Sequence, residues 1–83
     1  MQKDYNSVVE LEDMNLVCTL CVLGFSIESV DNRNYPQVSF LFSKSTILEK
    51  AIDDFYKGSL LIEPKSLWAK SRELKARIKS IKN

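Results

Sequence analysis

Residues 14–25 (MNLVCTLCVLGF) constrain the fold of this chain more than any other segment. The stretch is apolar nearly all round, interrupted only by Asn15 and Thr19. At about 12 residues it falls well short of the ~20 that cross a bilayer. A helix without a polar face belongs in a protein core. The 83-residue length allows one domain, so residues 1–83 are read as a single unit. With 45% of positions apolar and 28% charged, the composition excludes disordered and fibrous classes. Residues 1–13 are too polar for a signal peptide, so a cytoplasmic location without a membrane contact is expected.

The rest of the chain reads as alternating strand and helix patterns around that segment. Residues 5–11 (YNSVVEL) have β-branched residues at their centre and suit a short edge strand. Glu12 and Asp13 place negative charge at the start of a helix over 13–23, and Gly24 suits its end. A hairpin is expected from strands over 25–30 and 37–43, joined by the turn-rich segment 31–36. Its second strand directs Val38, Phe40 and Phe42 to one face, with Leu41 interrupting the polar face. Thr46 and Glu49 fit a capping box opening a helix over 46–57, with Ile47, Leu48, Ala51, Ile52 and Phe55 at helical spacing and Gly58 as terminator. Leu60, Leu61 and Ile62 form a small strand or an extended plug against the core. Pro64 suits the first turn of a helix over 64–82, on which Leu67, Ser71, Leu74, Ile78 and Ile81 make a narrow apolar seam. The expected class is α+β: a small antiparallel sheet with three helices on one side.

Several chemistries are excluded or weakened by what the chain contains. It has no histidine, which removes the commonest general base and zinc ligand and any Ser–His or Cys–His dyad. Cys18 and Cys21 form C-x-x-C, but inside an apolar helix rather than at an exposed helix N-terminus, so they read as buried, inert thiols. No second cysteine pair completes a zinc site, and no metal or cofactor is expected. Glu63-Pro64-Lys65 after an apolar run resembles the Glu-x-Lys of metal-dependent nucleases, with Asp31 or Asp53 as the upstream acid. Pro64 between the two side chains argues against it, because proline breaks strand pairing. Glu49, Asp53 and Asp54 read as a solvated helix face, and Gly24 and Gly58 make no phosphate loop. The chain is expected not to be an enzyme and to take no small-molecule substrate.

The order of certain short motifs carries a family likeness. An Asp-started apolar helix ends in Gly-Phe (Asp13, Gly24, Phe25), followed by a Phe-x-Phe strand (Phe40, Phe42). A helix then ends Asp-Phe-Tyr-x-Gly (Asp54 to Gly58), and a Pro-opened helix contains Arg-Glu-Leu-Lys (Arg72 to Lys75). Over about residues 11–80 the chain resembles the small domain-of-unknown-function proteins encoded by bacteria and their phages. Glu12 stands where that family often has a small hydroxyl residue, which bears on the helix cap alone. The resemblance implies a short α+β protein and transfers no site residue.

Charge is distributed unevenly. Residues 1–63 carry a net −5 and residues 64–83 a net +6, within a whole-chain charge of +1. Such asymmetry points towards a polyanion or a charged surface as partner. At ~100° per residue, Trp68, Arg72, Lys75, Lys79 and Lys82 form a stripe beside the apolar seam, with Lys65 at its edge. Lys70 and Arg77 flank the seam on its other side. The stripe admits three readings: contact with nucleic acid, contact with a protein partner (a host protein or a second copy using the seam), and a purely structural or solvated face. On the last reading Trp68 anchors the core and the basic helix docks on the domain's own acids. The leading expectation is a non-enzymatic accessory binding protein whose contact residues are Lys65, Trp68, Arg72, Lys75, Lys79 and Lys82.

Overall fold

A computed structural model describes residues 7–82 of the chain. The elements run β1 (Val8–Leu11), α1 (Met14–Val22), β2 (Ile27–Asn34), β3 (Gln37–Ser43), α2 (Thr46–Lys57) and α3 (Pro64–Lys82). The three strands form one antiparallel sheet in the order β1-β3-β2. This is the expected α+β class. Tyr5 and Asn6, included in the expected first strand, lie outside the described residues.

The strands pair so that one face of the sheet is apolar. Val9, Phe42 and Ile27 share one row, and Leu11, Phe40 and Val30 the next. All six join the core with Val38, and Phe40 and Phe42 are fully enclosed. The alternation anticipated for β3 is therefore present. Its interrupting residue, Leu41, is half-buried between Glu10 and Ser29 on the other face. Ser39, also on that face, is buried and donates to the Glu12 carboxylate at 3.3 Å.

β2 is longer than the sequence suggests. The residues Asp31, Asn32, Arg33 and Asn34 have turn composition, yet the strand continues to Asn34 and the turn shrinks to Tyr35-Pro36, joined by a cis peptide. Two irregularities in register, between Ile27 and Ser29 and between Asp31 and Asn34, absorb the extra residues. Asp31 is held inside this stretch by Arg33. The guanidinium donates to both carboxylate oxygens, at 2.7 Å from Nη2 to Oδ2, and the Arg33 N–H adds a bond at 3.0 Å.

α1 sits at the centre of the molecule. Five consecutive residues, Leu16 to Leu20, are buried, and at ~100° per residue five positions sample the whole circumference. The helix is covered by the sheet and by α2 and α3, the arrangement its all-apolar sequence requires. Asp13 caps its start alone, accepting from the N–H groups of Asn15 and Leu16 at 3.0 and 3.3 Å. Glu12 takes no part in the cap. Thr19, buried among apolar residues, satisfies its hydroxyl by donating to the Asn15 carbonyl at 2.8 Å. Leu23 forms the C-cap and is exposed, and Gly24 follows at φ 107°, a conformation side chains rarely adopt.

α2 is capped by Ser45, whose hydroxyl accepts from Leu48 N–H at 3.0 Å. Thr46 is the first helical residue, so the expected Thr46–Glu49 capping box is not formed. Leu48 and Ala51 are buried, with Ile52 and Phe55 packed beside them. Ile47 lies about 90° from that direction and is exposed, although its spacing placed it in the apolar set. Gly58 ends the helix in the left-handed conformation at φ 72°. The segment 60–62 forms no strand: Leu60 and Ile62 are half-buried while Leu61 between them is 98% exposed, the alternation of an extended backbone.

Candidate functional site

α3 packs chiefly along α1 and presents the expected seam to it. Leu74 is buried, and Leu67, Ser71 and Ile78 are partly buried around it. Ile81, the last member of the seam, and Lys82, the last residue of the stripe, have side chains outside the described residues. Steps of four, three and four residues keep these apolar groups on a single arc of the helix, so the opposite arc faces away from the core.

The outward arc carries the expected contact residues. Lys65, Trp68, Arg72, Lys75 and Lys79 are all exposed. Along the axis, Lys65 to Lys79 extends over ~21 Å at ~1.5 Å per residue. Trp68 is 70% exposed, so it does not anchor the core. Its position on the helix is about 60° from the edge of the seam, too far round to reach α1. Lys65, Trp68, Ala69, Arg72 and Glu73 line a shallow open recess on this surface. Ala69 has the shortest side chain of the five and leaves space between its longer neighbours.

Among the described residues, no ion pair engages Lys65, Arg72, Lys75 or Lys79. The ion pairs of the described residues are Arg33–Asp31, Lys50–Asp54, Lys57–Asp53 and Lys70–Glu73. Glu73, the one acid of α3, turns to Lys70 at 3.2 Å on the side nearer the core. Asp53 and Asp54 are likewise engaged by lysines of their own helix. The acidic and basic parts of the domain therefore do not neutralise each other through these side chains.

The other chemistry-bearing residues are dispersed. Cys18 is buried and Cys21 partly buried, both as free thiols. Burial pushes both thiols up from their ordinary range, with a Ser71 hydrogen bond opposing this at Cys18 and the Lys70 charge opposing it at Cys21. A raised value keeps sulfur protonated and weakly nucleophilic. Among the described residues, no group of three His, Cys, Asp or Glu side chains is placed to hold a metal ion. Glu63 accepts from the Ser66 hydroxyl at 2.6 Å, and its carbonyl accepts from Leu67 N–H at 3.1 Å, so it serves the start of α3. The strand that a Glu-x-Lys nuclease site needs is not formed at 60–62. No helix among the described residues is long and apolar enough to cross a membrane.

Among the described residues, further recesses lie between elements. One, beside the end of α1, is lined by Cys21, Phe25, Lys70, Leu74 and Arg77, and brings the two flanking cations of α3 together. Another, between β1 and α2, is lined by Val9, Lys44, Glu49, Ile52, Asp53 and Tyr56. Sequence reasoning singled out neither, because each is assembled from segments distant along the chain.

No curated protein and no solved structure matches the chain. A family model does, over residues 6–80, and it covers both the sheet and nearly all of the basic helix. The chain belongs to that family, the domain of unknown function DUF5659.

Proposed function

We propose that this domain is a non-enzymatic accessory protein of bacterial or phage origin that binds nucleic acid through the outward face of α3. The observation carrying this reading is the row Lys65, Arg72, Lys75 and Lys79, exposed on one face with no carboxylate of the described residues paired to any of them. Unpaired cations in register along a rod attract a polyanion, and each phosphate they neutralise releases a counterion. The exposed Trp68 adds a ring on which a base can stack between the flanking cations. A homodimer resting on the Leu67–Leu74–Ile78 seam is disfavoured, since that seam already packs against α1. A membrane-surface role is disfavoured by the single large apolar residue on the exposed stripe.

The test is fluorescence polarisation with labelled oligonucleotides at ~50 mM salt, where phosphate contacts are strong. Binding that weakens steeply as salt rises is the expected result. No binding to duplex or single strands at that salt overturns the proposal and leaves a protein partner as the reading to pursue.

A further inference from the structure

The recess around Trp68 narrows the kind of nucleic acid that this surface fits. We infer that α3 takes a single-stranded segment, with a base stacked on the Trp68 ring over Ala69 and the flanking phosphates at Lys65, Arg72 and Lys75. The inference rests on the proposed function and specifies its ligand.

Three observations carry it. First, the indole of Trp68 is 70% exposed on a helix whose other face is buried, so the ring is not required by the core. Exposing a ring of this size forgoes the burial that usually stabilises an aromatic residue. Second, its neighbours on the outward arc are arranged as a stacking site needs. Ala69 leaves free space next to the ring, while Lys65 and Arg72, one turn away on either side, supply positive charge. The only acid lining the recess, Glu73, is engaged by Lys70. Third, the cations continue beyond the recess in one direction, through Lys75 to Lys79, as a track for a backbone leaving the stacked base.

Duplex DNA fits this arrangement poorly. Its bases are stacked on one another and present only edges in the grooves, so a ring can reach a base face only by opening the helix. A ring on the convex side of a straight helix, with cations spaced along the same rod, meets an unpaired strand without that cost.

Trp68 is the only tryptophan of the chain, so its emission reports directly on the site. Intrinsic fluorescence is titrated with a mixed-sequence 15-mer deoxyoligonucleotide and with the same strand annealed to its complement. Expected are quenching by the single strand and an affinity for it at least tenfold above that for the duplex. Trp68→Ala, followed by polarisation of a labelled strand, is expected to lower single-strand affinity about tenfold or more, the effect of losing one stacked base. Trp68→Phe is expected to keep most of it, while circular dichroism of both variants matches the parent. Equal affinity for both forms, or a Trp68→Ala variant that binds the single strand as well as the parent does, overturns this inference and leaves the proposed function standing. Binding of neither form overturns both.

Discussion

At the scale of single residues, the core and the candidate site make opposite demands on aromatic side chains. Phe40 is enclosed at the centre of the sheet's inner face, between Leu11 and Val30 in the ladder. Phe40→Ala is expected to cost about 3–5 kcal/mol, the transfer term plus the cavity left behind. Trp68→Ala, on an exposed helix face, is expected to stay within about 0.5 kcal/mol. Urea midpoints of the two variants check the pair, and a large loss for Trp68→Ala would mean the ring is structural. Asp31 provides a residue-level pH effect. The Arg33 guanidinium and backbone N–H hold its carboxyl at about 2, below the ordinary carboxylate range. A lowered value means the folded state favours the ionised form. The contribution is therefore complete above the ordinary carboxylate range and is lost as pH falls towards 2. In a side-chain carboxyl NMR titration, Arg33→Gln is expected to move the Asp31 midpoint up towards 3.8.

At the scale of elements, legibility followed periodicity and failed where two local signals competed. The Val38, Phe40 and Phe42 alternation and the Leu67, Leu74 and Ile78 seam were readable because each repeats one geometric period. The bounds of α2 match the expected 46–57, but its cap is Ser45, one residue before the expected Thr46. Ser45 and Thr46 both offer a hydroxyl, and Thr46 with Glu49 matches the reciprocal box, yet only Ser45 has the extended backbone of a cap (φ −157°, ψ 160°). Ser45→Ala is expected to cost about 1 kcal/mol, while Thr46→Ala stays within about 0.5 kcal/mol. Thermal melts of the two variants decide it, and the reverse order would restore the box. The end of β2 was obscured for a different reason. Asp31 to Asn34 carry residues that bond their own backbone, a turn signal, and only pairing with β3 reveals that irregular register lets the ladder continue.

At the scale of the whole molecule, the segregation of charge was legible in the sequence, and its meaning depended on packing. Helical geometry alone places Arg72, Lys75 and Lys79 on one arc, but it leaves open whether that arc meets the domain's own acids. Trp68 carried the same ambiguity, because a tryptophan in a small domain is more often a core anchor than an exposed platform. In the fold, Asp53 and Asp54 pair with lysines of α2 and Glu73 with Lys70, and Lys65, Arg72, Lys75 and Lys79 are exposed to solvent. Stability and binding should then respond differently to the same change. Replacing Arg72, Lys75 and Lys79 together with glutamine removes no ion pair of the described residues, so the melting temperature is expected to change by no more than a few degrees. Binding depends on those groups directly. If Lys65, Arg72, Lys75 and Lys79 each neutralise one phosphate of a single strand, log affinity falls against log salt with a slope of roughly −3. The triple variant retains one of the four, so its slope is expected near roughly −1, with much weaker binding at low salt. Melting curves and salt titrations on the same two proteins separate the possibilities. A large drop in melting temperature would place the cations in internal contacts, and an unchanged slope would place the phosphates on another surface.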